Sequence, residues 1–245
     1  LFSIYKLKML SFLKIYYRNI YKSFYKKKSK KFFEDKKLLK YFINENSEEY
    51  KPNYAKLYNL YNFITLRKPR CILEFGTGFS TIAMSLALLE NHKNGHDGKI
   101  FVVDAEEKWL ENTKNKLPNE LKNFVNFFPS KTFTKFLNGS LVSLFDKLPN
   151  ICPDFILLDG PHPDSIIGDY NNLSFQSNSA VNYLNRPVIS ADILLYESTA
   201  PNKFFIYVDG RWRNSIFLKQ HLKYNYKYKI NHALKYSTLE KTNIF

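Results

Sequence analysis

Cysteine and long apolar runs are scarce in this 245-residue chain, which has only two cysteines, Cys71 and Cys152. Their spacing is not that of a metal-ligand set, so we expect reduced thiols near the core, as in a cytoplasmic protein. The sequence holds no uncharged apolar run of about 18 residues, and therefore predicts no membrane-spanning segment. Lysines interrupt the apolar residues near the start, so we expect no secretory signal there. The first residue is Leu1, and we expect either processing or a true start at Met9.

Acidic residues are also few: 37 Lys and Arg stand against 22 Asp and Glu, a formal net charge of +15. Residues 1–40 hold thirteen of the basic residues against two acids, Glu34 and Asp35, so +11 lies in this segment and about +4 in the rest. The whole sequence is rich in Lys, Asn, Ile, Phe and Tyr. A general compositional bias is therefore as good an explanation for the many lysines as a negatively charged binding partner.

The segment 3–26 has the periodicity of a basic amphipathic helix. One stripe carries Ser11, Lys14, Arg18 and Lys22, and apolar side chains fall largely opposite it. Such a helix could lie on an anionic membrane surface, grip nucleic-acid phosphates while its tyrosines stack on bases, or pack its apolar side on the rest of the chain. The sequence leaves these three interpretations of residues 1–40 open.

From Arg70 onward the pattern changes from helical to alternating strand and helix. Two short helices are expected within 36–68, ending before Pro69. We expect strands at 70–75, 99–104, 124–128, 153–159, 187–192 and 203–208. We expect helices at 79–91, 106–117, 132–146 and 212–223, and a closing antiparallel hairpin within 224–245. The pattern predicts an α/β fold, with a doubly wound, mostly parallel sheet at 67–245 and a basic helical extension or cap at 1–66.

Acidic residues terminate most of the predicted strands. Glu74 ends the first strand before a turn that contains Gly76 and Gly78. The second, fourth, fifth and sixth strands end at Asp104, Asp159, Asp192 and Asp209. Because the carboxyl ends of parallel strands meet at one edge of a sheet, we expect these groups to converge there, although clustered carboxylates repel one another. Such a cluster is typical of a functional site.

The segment Glu74–Ser80, together with Asp104, resembles the first motif of the class I S-adenosylmethionine-dependent methyltransferases. The resemblance covers roughly residues 68–230 and implies a mostly parallel seven-stranded sheet and S-adenosylmethionine as cofactor. It implies that Gly76 and Gly78 pass close to the methionine part of the cofactor, that Glu74 orients its amino group and that Asp104 holds the ribose. The other cofactor-binding residues that it implies are Thr77, Ser80, Asp159, and Ser130 near the adenine. A dinucleotide-binding domain would instead require a third glycine, where this chain has Thr81.

Catalytic residues are expected in the loops that follow the fourth and fifth strands. Methyl transfer to a hydroxyl requires removal of its proton, and His162 is a candidate base. Asp159 and Asp192 are further catalytic candidates, since they could bind a divalent cation as in catechol-type O-methyltransferases, which this rim resembles. In that family an asparagine follows the second aspartate, whereas Ile193 stands here. The stretch Leu158–His162 is also similar to a segment of O-methyltransferases that act on glucuronoxylan, which implies a sugar acceptor.

Substrate-binding candidates follow the sixth strand. Arg211 and Arg213 flank Trp212 and could bind a carboxylate, phosphate or sugar; alternatively one of them pairs with Asp209 while Trp212 packs under the sheet. The sequence predicts O-methylation of a small-molecule or glycan hydroxyl. The alternatives are a nucleic-acid-directed methyltransferase that uses residues 1–40, and a catalytically silent methyltransferase fold that serves as a binding module.

Overall fold

The computed structural model describes residues 2–42, 51–176 and 187–242. The N-terminal part contains helix α1 (Phe2–Asp35), a 3-10 turn (Leu39–Phe42) and helix α2 (Tyr54–Arg67). The alternating part that follows consists of β1 (Cys71–Phe75), α3 (Phe79–Lys93), β2 (Lys99–Asp104), α4 (Glu107–Lys116), α5 (Asn119–Lys122), β3 (Val125–Pro129), β4 (Thr132–Leu137), β5 (Ser140–Phe145), β6 (Phe155–Leu158), β7 (Ile166–Ile167), α6 (Ile193–Glu197), β8 (Phe205–Asp209), α7 (Trp212–His221), β9 (Tyr226–Asn231) and β10 (Tyr236–Lys241). Within the described ranges no helix is both long and apolar enough to cross a membrane.

Seven strands form the main sheet in the order β3-β2-β1-β6-β8-β10-β9. The first five run parallel, and β10 lies antiparallel to both of its neighbours. This confirms the predicted α/β class, the mostly parallel seven-stranded sheet and the closing hairpin. In β6, Phe155 and Leu157 face one buried apolar cluster while Ile156 and Leu158 face the other. Burial on both faces explains why the central strands are continuous apolar runs in the sequence.

Helices cover both faces of this sheet. α2 and α3 supply residues of one apolar cluster, and α6 and α7 supply residues of the other. The Phe63 ring of α2 lies 5.3 Å from the ring of Phe205 and 5.7 Å from that of Tyr207, so α2 packs on the face of the sheet rather than capping its edge. Phe33 near the end of α1 is fully buried in the same cluster. The extension therefore shares a core with the sheet, and the boundary between residues 66 and 67 stays a prediction.

The helix predicted at 132–146 is wrong, because this segment forms the antiparallel hairpin β4–β5. Asn138 and Gly139 connect the two strands with φ values of +50° and +77°, as a two-residue hairpin turn of the primed type requires. The hairpin belongs to a second, three-stranded sheet in the order β5-β4-β7. Phe145 of β5 stacks on Phe75 of β1 with ring centroids 5.5 Å apart, and this contact ties the small sheet to the main one.

The strand predicted at 187–192 is also wrong. Its described backbone makes only a single parallel bridge, between Ser190 and Ser143 of β5, and Asp192 then begins α6. The amide of Asn214 holds this segment through both the N–H and the carbonyl of Ser190, at 2.6 and 3.0 Å. Asp192 consequently does not end a strand of the main sheet.

Candidate functional site

Two glycines meet where the strand order reverses. From β1 the chain continues to β2 and β3 on one side, while β6 and β8 lie on the other, so the crevice of the sheet opens beyond the ends of β1 and β6. Gly76 follows β1, and Gly160 follows β6 and donates its N–H to Phe75 O at 2.7 Å. A Cβ on Gly160 would lie 2.8 Å from Gly76 N, and one on Gly76 would lie 2.9 Å from Gly160 N. Both positions require glycine so that the two turns can touch.

This contact gives Gly76 a packing role, and its approach to a cofactor stays a prediction. A side chain there would point at the backbone of Gly160. A Cβ on Gly78 would have no heavy atom of the described chain within 4 Å, and its φ is +149°. Gly78 is the glycine that faces open space, whereas Gly76 fixes how β1 approaches β6.

Glu74, at the end of β1, is fully buried beneath the glycine turn. One of its oxygens accepts a hydrogen bond from Ser80 Oγ at 2.5 Å, and the other accepts from Thr81 Oγ1 at 2.6 Å. Burial raises the pKa of Glu74 to about 8, although the two hydroxyl donors favour its charged form, and the carboxylates of Asp159 and Asp104 raise it further. Ser80 and Thr81 therefore anchor the first turn of α3 to the end of β1.

Asp104 ends β2 beside the same turn. Burial raises the pKa of Asp104 to about 6. The N–H groups of Glu106 and Thr77 oppose this shift because they favour the charged form of the carboxylate. The nitrogen of Glu106 lies 3.0 Å from Asp104 Oδ1. Ser130 is buried after β3, where its N–H donates to Asp104 O at 3.0 Å and its hydroxyl accepts from Lys147 N–H at 2.9 Å. Asp104, Thr77 and Ser130 thus lie together at this rim.

Asp159 follows β6, and Asp209 ends the neighbouring strand β8. Lys56 of α2 forms an ion pair with Asp209, with the Nζ atom 2.7 Å from the carboxylate. Arg211 donates to the backbone oxygens of Asp159 and Pro161, each at 2.8 Å. The Asp159 side chain is exposed to solvent on one side, with protein atoms around its other sides. Desolvation by the surrounding protein atoms and the charge of the nearby Asp209 raise the pKa of Asp159 to about 7, against the opposing effect of Lys56 and Arg211.

The alternative in which Arg211 or Arg213 pairs with Asp209 is wrong, because Lys56 forms the ion pair with Asp209. Lys56 lies 153 residues earlier in the chain, and no local signal in the sequence connects the two. Trp212 does not pack under the sheet: it is 46% exposed and its ring lies 5.7 Å from that of His232.

Two of the cavities in the described structure lie away from the glycine turn. One of about 220 Å³ lies beyond β8, between the start of α7 and the turn that joins β9 to β10, and is lined in part by Arg211, Trp212, His232 and Lys235. The other, of about 500 Å³, lies at the opposite rim, where residues such as Arg70 and Lys99 begin strands. The residues of the glycine turn line neither of these two cavities.

His162 and Asp192, two of the catalytic candidates, lie in different surroundings. His162 is exposed, and its Nδ1 lies 3.4 Å from the N–H of Asp164 in the same loop. Asp192 is fully buried, and its carboxylate accepts from Phe145 N–H at 2.8 Å and from Ser190 Oγ at 2.9 Å, which joins α6 to β5. Burial raises the pKa of Asp192 to about 6 against these two donors. Across residues 2–42, 51–176 and 187–242, no three His, Cys, Asp or Glu side chains are grouped so that they could hold a metal ion.

No protein family model matches this chain. A comparison with curated proteins also finds no match. Solved structures similar to it include an S-adenosylhomocysteine-bound methyltransferase, PaMTH1, from Podospora anserina, with a TM-score of 0.48, 11% identity, and coverage of 78% of this chain and 80% of that one. A methyltransferase from Geobacter sulfurreducens has a TM-score of 0.46, 10% identity, and coverage of 88% and 87%. An O-methyltransferase family protein from Burkholderia thailandensis has a TM-score of 0.43, 9% identity, and coverage of 77% of this chain and 55% of that one.

Proposed function

We propose that this chain is an S-adenosylmethionine-dependent methyltransferase that methylates the hydroxyl group of a small-molecule or glycan acceptor. The observation that carries the proposal is the glycine turn at the reversal of strand order, with Glu74, Asp104 and Asp159 at the ends of adjacent strands. The sheet order supports it as well, since the antiparallel β10 occupies the place where a dinucleotide-binding sheet continues with a parallel strand.

The rim offers matching groups for such a cofactor. Asp104 is a carboxylate that can accept hydrogen bonds from ribose hydroxyls, and Gly78 leaves open space beside it. The acids of the rim suit a ligand with a positive centre. When bound, S-adenosylmethionine supplies an electrophilic methyl group on a positively charged sulfur.

Asp159 is the group of this site best suited to take up a proton. It is open to solvent, and its pKa of about 7 leaves a substantial fraction ionised at neutral pH while keeping it basic enough to accept the proton of an acceptor hydroxyl. The Arg211 side chain holds the backbone of the same loop and so positions Asp159. His162 bonds within its own loop and is the alternative base.

Calorimetry with S-adenosylmethionine and S-adenosylhomocysteine tests the cofactor assignment. We expect both to bind, and we expect Asp104→Asn to weaken binding at least about tenfold, because a hydrogen bond to a charged group is lost. The matched control is Glu111→Gln on the exposed side of α4, which should bind as the unaltered chain does. Absence of binding by the unaltered chain, or equal affinity of Asp104→Asn, would refute the assignment.

The pH dependence of binding gives a second test. As pH rises from 6 to 8, the rim carboxylates ionise, so the affinity for the positively charged S-adenosylmethionine should rise relative to that for S-adenosylhomocysteine. A ratio of the two affinities that stays constant over this range would contradict the electrostatic part of the proposal.

Transfer of a labelled methyl group to a panel of hydroxylated acceptors tests the chemistry. With an acceptor identified, Asp159→Asn should lower kcat at least about 100-fold, whereas Asp146→Asn, which alters an exposed acid elsewhere, should not. If His162→Gln abolishes transfer while Asp159→Asn retains it, Asp159 is not the base. Cofactor binding with no transfer to any hydroxyl would favour a silent binding module, and transfer to RNA or DNA alone would favour the nucleic-acid alternative.

A further inference from the structure

Helix α1 carries an apolar stripe that the described part of the chain does not cover. The stripe consists of Tyr16, Tyr17, Ile20 and Phe24, whose exposed fractions lie between 48% and 68%. Spacings of three and four residues put these side chains on one side of the helix. Isolated exposed apolar residues are ordinary, but four on one side of a helix form a contiguous patch of the kind that marks an interaction surface.

The way that α1 attaches to the domain explains the exposure. Among the side chains that the structure describes, those at the C-terminal end of the helix dock, through Tyr25, the buried Ser29 and the buried Phe33. At about 100° per residue, Ile20 and Phe24 point about 140–180° around the axis from Ser29. The apolar stripe therefore faces away from the described part of the domain, and no described residue packs on this side of α1 at residues 16–24.

The charges around the stripe identify the partner by its chemistry. Residues 15–31 contain seven Lys and Arg and no acid. Lys27 and Lys31 continue the line of Ile20 and Phe24 along the helix, so cations and apolar groups point in the same direction. A surface that is both apolar and negatively charged complements this arrangement, and an anionic lipid bilayer is such a surface.

We propose that α1 docks this protein on anionic lipid bilayers, with the stripe of Tyr16, Tyr17, Ile20 and Phe24 inserted among the headgroups and Lys27 and Lys31 bound to lipid phosphates. Tyrosines suit such a position, because the ring is apolar and the hydroxyl can stay in the headgroup region. Two other partners fit less well. A second copy of the helix would bring seven positive charges against seven, and nucleic acid would contact the lysines while leaving Ile20 and Phe24 in water.

Flotation of the full chain with vesicles tests the proposal. We expect binding to vesicles of phosphatidylcholine with about 30% phosphatidylserine, at least about tenfold tighter than to phosphatidylcholine alone, and weaker at high salt. Ile20→Asn combined with Phe24→Asn should reduce the affinity at least about tenfold. Lys27→Gln and Lys31→Gln should each reduce it by up to about fivefold. The matched control is Leu66→Asn combined with Leu195→Asn, which removes two exposed leucines on other helices and should leave binding unchanged.

Three results would overturn the proposal. One is equal or absent binding to the two kinds of vesicle by the unaltered chain. Another is unchanged vesicle binding by the Ile20→Asn/Phe24→Asn variant, whose thermal unfolding should match that of the unaltered chain because both positions are exposed. The last is that the unaltered chain does not bind vesicles but either binds RNA or forms a dimer in sedimentation velocity, and that the Ile20→Asn/Phe24→Asn variant loses this RNA binding or dimer.

Discussion

Replacing Glu74 with glutamine should change how the stability of this protein depends on pH. The carboxyl group is fully buried and accepts hydrogen bonds from Ser80 and Thr81, and burial raises its pKa from 4.5 to about 8. Because the folded state holds the proton more tightly than the unfolded chain, protonated Glu74 favours folding. This contribution is complete below about pH 4.5 and is lost as pH rises toward 8.

The size of the effect follows from the shift. One pKa unit corresponds to about 1.4 kcal/mol, so ionisation of Glu74 should cost on the order of 4 kcal/mol of unfolding free energy between pH 5 and 8. Glutamine stays neutral throughout. Its amide nitrogen cannot accept from a hydroxyl, so one donor must reorient, at a cost of about 1 kcal/mol that does not depend on pH. The variant should therefore be the less stable protein at pH 5 and the more stable one at pH 8.

Urea unfolding of both proteins at pH 5, 6.5 and 8 measures this crossing, with the midpoint and slope fitted at each pH. Asp104, Asp159 and Asp192 also have raised pKa values and titrate in both proteins. Because Asp104 and Asp159 repel the charged form of Glu74, the difference between the two proteins measures the ionisation of Glu74 together with this repulsion. Glu111→Gln serves as the control, and its difference from the unaltered chain should stay flat. A stability difference for Glu74→Gln that is constant from pH 5 to 8 would refute the reasoning.

Three further substitutions test the packing around the site. Gly160→Ala should cost about 1–3 kcal/mol in urea unfolding and weaken cofactor binding, because the new methyl group would lie 2.8 Å from Gly76 N; unchanged stability would show that the two turns do not need their close contact. Lys56→Met should cost about 2–3 kcal/mol in the same assay at pH 8, because it leaves the Asp209 carboxylate buried without its cation. The loss of stability should be smaller at pH 5, because the Asp209 carboxyl takes up a proton there. A loss of stability that does not depend on pH would contradict the ion pair. Gly139→Ala should lower stability by about 1–2 kcal/mol, because its φ of +77° is unfavourable for alanine, and no loss would contradict the assigned turn.

Local patterns in the sequence were sufficient to predict the strands at the centre of the sheet and the residues that follow them. The acid and the glycines after β1 are adjacent in sequence, and Asp104 and Asp159 each end a short apolar run. Such features depend on a few neighbouring residues, so their order along the chain predicted which residues reach the rim. The alternating Tyr and Lys of 224–229 likewise predicted the hairpin, because one side of that strand is in water.

The errors arose where a local signal was overlooked or where the contact is distant in sequence. Asn138-Gly139 is a strong hairpin signal that the helical interpretation of 132–146 passed over. The position of Gly160 after a strand could be recognised in the sequence, but its contact with Gly76 could not. That contact exists only once β1 and β6 have paired. Lys56 belongs to the extension, and no pattern in its neighbourhood indicates an ion pair with a strand end 153 residues away.

The charge balance at the rim bears on which kind of ligand it suits. Three carboxyl groups lie close enough to influence one another's pKa: Glu74, Asp104 and Asp159. The two nearby cations already have partners, since Lys56 pairs with Asp209 and Arg211 donates to backbone carbonyls. The pyrophosphate of a dinucleotide would lie near the carboxylates of Asp104 and Asp159 and be repelled. A ligand with a sulfonium or ammonium group would instead relieve their mutual repulsion. This supports a methyl donor over a dinucleotide on grounds independent of the missing third glycine.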